Sequence, residues 1–271
     1  MKLRKVDLIK IKKCDELLKK TPSKSDYSEV ISEDCLFYKD GKAVGLYIKI
    51  SGKELRGIRK AALTTKLNKS SRTRGLPTQS SVFGSLPRIA RRNDFCRFSA
   101  KTKEEKGNNL RIFKFSQTLL DIYKEYLPQN LERDTKIIDE SVESDYKIQR
   151  ESPFLTANIN VNHAIKYHRD TGNFKGNLSN VLILRHGIAG GELVFPEYGF
   201  ALSQDDGFLA IFDGQTEIHG VMPIIKTDDN PYRASIVYYS LEQMKHCYPY
   251  KEEVERLQQK AMERAIKRKD H

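Results

Sequence analysis

Cysteine is scarce and scattered. The 271 residues hold four, Cys14, Cys35, Cys96 and Cys247, with no C-x-x-C pair among them, which argues against a zinc knuckle. Thiols spread in this way suggest free cysteines in a reducing interior, hence an intracellular protein, cytoplasmic or nuclear according to its host. Long apolar runs are also missing. None approaches the ~18 residues of a membrane span. The opening "MKLRKVDLIKIKKCDELLKK" has neither the unbroken apolar core nor the small-residue cleavage site of a signal peptide, so the protein is expected to stay where it is made. There is no internal repeat and no low-complexity tract. At 38% hydrophobic and 31% charged, the composition is that of a soluble globular chain with ample length for a packed core.

Acid is nearly absent from one region. Residues 51–100 carry twelve Lys and Arg (Lys53, Arg56, Arg59, Lys60, Lys66, Lys69, Arg72, Arg74, Arg88, Arg91, Arg92, Arg97) against Glu54 and Asp94, so this segment alone supplies +10 of a net charge of +12. Residues 151–240 reverse the balance, with ten acids against six bases. A basic block beside an acidic core suggests a surface for polyanions, nucleic acid above all. Phe83, Phe95 and Phe98 interleave with the arginines. The rival reading is a solvated helix and loop.

Period and punctuation divide the chain. The stretch up to about Lys20 reads as a short amphipathic helix. "CLFYKDGKAVGLYIKI" reads as a hairpin turning at Asp40-Gly41. "GKELRGIRKAALTTKL" has helical potential, and "NKSSRTRGLPTQSSVFGSLPR" reads as a long loop. "NLRIFKFSQTLLDIYKEY" places Leu110, Phe113, Leu120 and Tyr123 at helical spacing, and Pro128 helps end that helix. A polar connector with a helical piece follows. After Pro153 come short strands: "LTANINVNHAI", "VLILR", "GELVFP", "GFALS", "GFLAIFD" and "RASIVYYS". Such a block reads as an antiparallel sandwich or barrel. In the first strand Leu155, Ala157, Ile159 and Val161 face one way, and Asn158, Asn160 and Asn162 the other. The tail "KEEVERLQQKAMERAIKRK" is a charged helix with Val254, Leu257 and Ala261 on one side.

One constellation carries chemistry. In "KYHRDTGN", His168 and Asp170 are two apart, so an extended chain points both to one face. His219 follows 51 residues later, just after "GFLAIFD". A His-x-Asp pair with a distant His is the facial triad of non-haem iron(II) sites, which leaves three coordination positions open for a keto acid and O2. Arg233 and Ser235 lie further on, on one strand face. A guanidinium can grip the distal carboxylate of 2-oxoglutarate in a bidentate fashion, and the hydroxyl adds a donor. The rivals are a hydrogen-bonded surface pair, zinc or a dead site. Asn158 and Asn160 either form a wet strand face or line the barrel mouth, where they would bond the co-substrate or a substrate base.

With these residues in place, positions 158–240 resemble the Fe(II)/2-oxoglutarate-dependent dioxygenases, and "GGELVFP" resembles the strand many of them carry between the metal ligands. "HRDTGN" is most similar to the TET/JBP group, which oxidises the 5-position of pyrimidines in nucleic acid. "RTRGLPTQSSVFGSLPRIARRNDFCRFS" is more loosely similar to the basic element that precedes the core in small relatives. The resemblance implies an α+β fold: a double-stranded β-helix, or jelly roll, buttressed by helices of the N-terminal half and the C-terminal helix. From the organisation of the chain, the basic half and the β half read as a single catalytic domain over 1–271. Residues 1–150 would bind substrate and buttress, 151–245 form the jelly roll, and 250–271 the last helix. Iron(II), 2-oxoglutarate and O2 are the implied cofactor and co-substrates, with His168, Asp170 and His219 as metal ligands. Asn173, three residues after Asp170, is implied as a contact to a flipped base, and Arg72, Arg74, Arg88, Arg91 and Arg92 as backbone contacts. The implied reaction hydroxylates the 5-methyl group of 5-methylcytosine or thymine in DNA. The alternatives are a 2-oxoglutarate oxygenase acting on a protein side chain or small molecule, and a non-catalytic jelly roll that binds nucleic acid.

Overall fold

Period-two alternation governs the middle of the chain. In the strand Thr156–Val161, Ala157 and Ile159 turn into an apolar core while Asn158 and Asn160 turn to the opposite face. The structure, a computed structural model, describes residues 3–70, 78–88 and 95–267. Thr156–Val161 pairs antiparallel with Tyr232–Tyr239, which pairs antiparallel with Ser179–His186, which pairs antiparallel with Phe208–Phe212. These four strands sit inside one ten-stranded sheet. Lys42–Lys49, Cys35–Lys39 and Arg4–Asp7 continue it beyond Phe208–Phe212, and Thr78–Leu86 and Asn68–Ser70 extend the other side. A second sheet of four strands runs Gly220–Val221, Leu193–Phe195, Phe200–Leu202, Glu29–Ile31.

The registers fix which side chains share a face. Asn160 lies opposite Ser235, which lies opposite Ile183, and Arg233 lies opposite Arg185. The other face of the long sheet is apolar. There Ile159, Leu182, Leu184, Ile236 and Tyr238 pack on Ile58 of the helix Gly52–Thr64 and on Ile112, Phe115, Leu119 and Tyr123 of the helix Lys106–Tyr126. Each such side chain contributes about 1.5–3 kcal/mol through burial. A second cluster joins the two sheets. It holds Phe37, Tyr47, Phe208 and Phe212 from the long sheet and Leu193, Phe195, Phe200 and Leu202 from the short one.

Several expectations hold. The hairpin turns at Asp40 and Gly41, both with positive φ. The helix Gly52–Thr64 starts at Ser51, whose Oγ accepts from the Glu54 amide. Others fail for identifiable reasons. Residues 3–20 form no α-helix: Arg4–Asp7 is a strand, parallel to Cys35–Lys39, and Val6 and Leu8, two apart, share the inter-sheet cluster. Much of the expected long loop is the nine-residue strand Thr78–Leu86, with Ser81, Phe83 and Ser85 buried beneath its Ser- and Gly-rich composition. In Lys106–Tyr126 the buried stripe includes Ile112, Phe115, Leu119, Leu120 and Tyr123, whereas Leu110 and Phe113 are exposed. Pro128 opens the helix Pro128–Asp139 as well as closing its predecessor. The helix Tyr250–Lys267 forms as expected, but Leu257 and Ala261 are exposed, and Tyr250 and buried Glu253 anchor its first turn. The four thiols are not all free: Cys96 and Cys247, 151 residues apart, form a disulfide, and Cys14 and Cys35 are buried thiols.

Candidate active site

Two irregular segments carry the candidate metal ligands, and backbone hydrogen bonds zip them together. The His168 amide donates to the His219 carbonyl at 2.9 Å, and the His219 amide to the His168 carbonyl at 3.1 Å. The Asp170 amide donates to the Gly214 carbonyl at 2.7 Å. Arg169 Nε reaches the Thr216 carbonyl at 3.0 Å, and Gln215 Nε2 the Asn173 carbonyl at 2.7 Å. Asp213 stiffens the second segment by accepting from the amides of Gln215 and Thr216, each at 3.2 Å.

The result brings His168, Asp170 and His219 together as the spacing predicts: one ligand atom from each lies within 4.8 Å of the others. His168 Nε2 is 3.5 Å from Asp170 Oδ1, and His219 Nε2 is 3.9 Å from Asp170 Oδ2. Each imidazole points its other nitrogen at a carbonyl two residues back. Nδ1 of His168 donates to Lys166 O at 2.8 Å, and Nδ1 of His219 to Glu217 O at 3.0 Å. A carbonyl only accepts, so Nδ1 of each ring carries a proton, and Nε2 is the nitrogen each ring turns toward Asp170. Burial, with the His168 charge adding to it, pushes His219 down to about 4, so this ring is neutral and able to ligate. Burial would lower His168 as well, but the Asp170 hydrogen bond and charge outweigh it and raise the ring. Burial would raise the Asp170 carboxyl, but the His168 hydrogen bond and both imidazoles hold it below the usual range. Three donors of N, N and O type, with no other side chain of their kind completing the group among the described residues, match an octahedral ion with open positions.

Asp170 is braced from behind. Ser179 Oγ donates to its Oδ2 at 3.1 Å, and Asn173 Nδ2 donates to Ser179 Oγ at 3.2 Å. A Cβ at Gly214 would sit 2.5 Å from Asp170 Oδ2 and 2.6 Å from Ser179 Oγ, so a larger residue there would displace one or the other.

The second predicted group lies on the strand Tyr232–Tyr239. Arg233 is 2% exposed, and no acidic side chain forms an ion pair with it among the described residues. Its Nη1 and Nη2 meet only the carbonyls of His163 and Gly191, at 3.4 and 3.2 Å, and its Nε has no partner. Burial, with Arg185 adjacent, lowers its guanidinium to about 10. A buried cation in this state lacks the anion that would offset its desolvation. Ser235 shares the face and is also buried, so the pair suits the carboxylate of a dicarboxylic keto acid. Gly191, at φ +78°, leaves the room, since a Cβ would come within 3.0 Å of Arg233 Nε. Asn158 Nδ2 donates to Asn160 Oδ1 at 3.0 Å, while the buried Asn158 Oδ1 has no partner and can accept from a ligand.

The expected substrate contacts fare differently. Asn173 is buried, with its amide nitrogen engaged by Ser179. Arg88 is taken up by the protein itself: its Nε donates to Glu253 Oε1 at 3.1 Å, and its guanidinium stacks on the Tyr248 ring. These partners engage the guanidinium that was expected to meet a phosphate. Arg72, Arg74, Arg91 and Arg92 lie outside the described residues. Sequence reasoning missed Ser179, Gly214, Arg185 and Gly191. Gly214 was visible only as a turn residue in "DGQ", Gly191 only as part of "GGELVFP", and Ser179 had no sequence signal.

A search of the curated proteins finds no match. Among solved structures, NgTET1 in complex with 5mC DNA superimposes with a TM-score of 0.61 at 12% identity, covering 89% of this chain and 92% of that one. At that identity the likeness is one of fold, a jelly-roll core within an α+β architecture. An oxidoreductase of the 2OG-Fe(II) oxygenase family from Burkholderia pseudomallei gives a TM-score of 0.43 at 14% identity, covering 72% of this chain and 84% of that one. The viral collagen prolyl hydroxylase vCPH of Paramecium Bursaria Chlorella virus-1 gives 0.41 at 14%, covering 73% and 96%. The family model Tet_JBP, described as the oxygenase domain of the 2OGFeDO superfamily, matches residues 85–242, more than half of the chain and all of the constellation above. The chain therefore belongs to the Tet_JBP family of 2-oxoglutarate- and iron(II)-dependent oxygenases.

Proposed function

We propose that this oxygenase hydroxylates the 5-methyl group of a pyrimidine, 5-methylcytosine or thymine, held out of the stack in DNA, and that the chain acts as one catalytic domain. The observation that carries the reading is the convergence of His168, Asp170 and His219 within 4.8 Å, inside the matched Tet_JBP region. Iron(II) bound there, with 2-oxoglutarate and O2, supplies the power to oxidise an unactivated C–H bond, and 2-oxoglutarate leaves as succinate and CO2. The chain's part is positioning and exclusion of water. His168 and His219 present Nε2, and their Nδ1 protons stay on carbonyls. Arg233 and Ser235 take the distal carboxylate of the keto acid. A 5-methyl group within a duplex is reached only by extruding the base, at a cost of a few kcal/mol that contacts to the extruded base repay. Lys53, Arg56, Lys60 and Lys66 are exposed on and just after the helix Gly52–Thr64 and supply a cationic face for the phosphate backbone.

The test incubates the protein with iron(II), ascorbate, 2-oxoglutarate and oligonucleotides carrying 5-methylcytosine or thymine, single- and double-stranded. Succinate and modified bases are then measured by mass spectrometry. DNA-dependent succinate with a 5-hydroxymethyl base is the expected result. Succinate formed only with a peptide or small molecule would overturn the substrate assignment. His168→Ala should abolish turnover and leave DNA binding largely intact.

A further inference from the structure

We propose that Ser179 is a positioning residue which, oriented by Asn173, ties up one oxygen of Asp170 and makes the aspartate a one-oxygen metal ligand. The inference rests on reading His168, Asp170 and His219 as the iron ligands. It begins with proton counting. The Asn173 side-chain nitrogen can only donate, and it lies 3.2 Å from Ser179 Oγ. The serine hydroxyl has a single proton. With one lone pair taken by Asn173, that proton goes to Asp170 Oδ2 at 3.1 Å. The chain of donation therefore runs one way, from amide to hydroxyl to carboxylate. Oδ2, which also faces His219 Nε2 at 3.9 Å, has one lone pair engaged by Ser179, while Oδ1, 3.5 Å from His168 Nε2, is the oxygen this arrangement leaves unburdened for a metal.

A carboxylate with both oxygens free can grip an ion with both, as at calcium sites. At a facial triad that would consume one of the three positions the keto acid and O2 require. Ser179 is 1% exposed and Asn173 7%, which leaves little opening for a water to take over either role. The backbone is arranged around the pair. Gly214 carries no side chain where a Cβ would strike both Asp170 Oδ2 and Ser179 Oγ, and its carbonyl holds the Asp170 amide at 2.7 Å. Ser179 opens the strand Ser179–His186 and lies opposite Phe212, so its position is set by the long sheet rather than by a loop.

Metal-free protein is titrated with Co(II), reading affinity by competition and ligand field by visible absorbance, alongside turnover. Ser179→Ala should bind Co(II) about 10- to 100-fold more weakly, in the range seen when partners behind a ligand are removed, with a changed absorbance envelope. Asn173→Ala should shift both in the same direction, and the double variant should be no worse than Ser179→Ala alone. Ser179→Thr, which keeps the hydroxyl, should retain wild-type affinity. Wild-type affinity and spectrum in Ser179→Ala overturn the proposal, as does an equal loss in the Ala and Thr variants. An Asn173→Ala protein with unchanged Co(II) binding but a raised KM for DNA removes Asn173 from the relay and returns it to the base. A wild-type protein that binds no Co(II) overturns the metal reading itself, an outcome distinct from all of these.

Discussion

Arg233 is a buried guanidinium whose hydrogen-bond partners among the described residues are two carbonyls, and this makes its proposed binding role separable from any structural one. Its charge costs desolvation in the free protein and repays it when an anion arrives. Arg233→Met should therefore eliminate binding of 2-oxoglutarate while leaving the melting temperature of the ligand-free protein close to wild type. Calorimetry with a redox-inert divalent ion provides the check. At 100 times its Kd, 2-oxoglutarate should stabilise the wild type by about 2.7 kcal/mol and the variant not at all. Equal stabilisation of both would remove Arg233 from the co-substrate site. The meeting of His168, Asp170 and His219, and of Arg233 with Ser235 on one strand face, was legible in the sequence because it is written in residue type and spacing. Ser179 and Gly214 were not, because their role depends on a 3.1 Å contact and a missing Cβ, which spacing along the chain does not encode.

At the scale of elements, the helix Pro128–Asp139 delivers Asp134 to the start of a central strand, where its Oδ2 accepts from the Leu178 amide at 3.0 Å. Burial raises this carboxyl to about 6 despite the neighbouring Arg133. The native state thus holds the proton more tightly than the unfolded chain, whose value is near 3.8. The stabilising contribution is complete below that value and is lost as pH rises through about 6, a swing of up to about 3 kcal/mol. Urea midpoints across this window should fall with pH more steeply in the wild type than in Asp134→Asn, which keeps an acceptor for Leu178. Parallel curves would show that Asp134 does not titrate there. The Arg88 clasp makes a second case. Arg88→Ala strands the 1%-exposed Glu253 without its cation and should cost about 3 kcal/mol, measured by chemical denaturation. It should leave the salt dependence of DNA binding unchanged. The strand Thr78–Leu86 escaped sequence reading because Ser and Gly are weak strand formers, and its pairing comes from Thr156–Val161, with partners 72 to 82 residues away. The first strand was mistaken for a helix because a short apolar pattern fits both periods until the neighbour Cys35–Lys39 decides.

For the molecule as a whole, the charge asymmetry makes a quantitative claim. Lys53, Arg56 and Lys60 are exposed on one helix. Replacing all three by Gln should flatten the plot of log affinity against log salt by about 0.9 for each duplex phosphate no longer neutralised. The co-substrate affinity should not change. An unaltered slope would move the nucleic-acid surface elsewhere. The β-rich second half was readable as a sandwich because turn residues separate its strands. The ten-strand extent of the long sheet was not, because six of its strands come from the first half of the chain and enter it through two pairings remote in sequence, Lys42–Lys49 with Phe208–Phe212 and Thr78–Leu86 with Thr156–Val161.

The seam between the two histidine segments has one more consequence. His168 and His219 hold each other by reciprocal main-chain bonds across a gap of 51 residues, so neither segment carries the coordination sphere by itself. A molecule that has lost this junction retains no half-strength version of it. Ion uptake should then disappear cooperatively with tertiary structure during denaturation, which would make a coloured divalent ion a direct counter of intact molecules in any preparation.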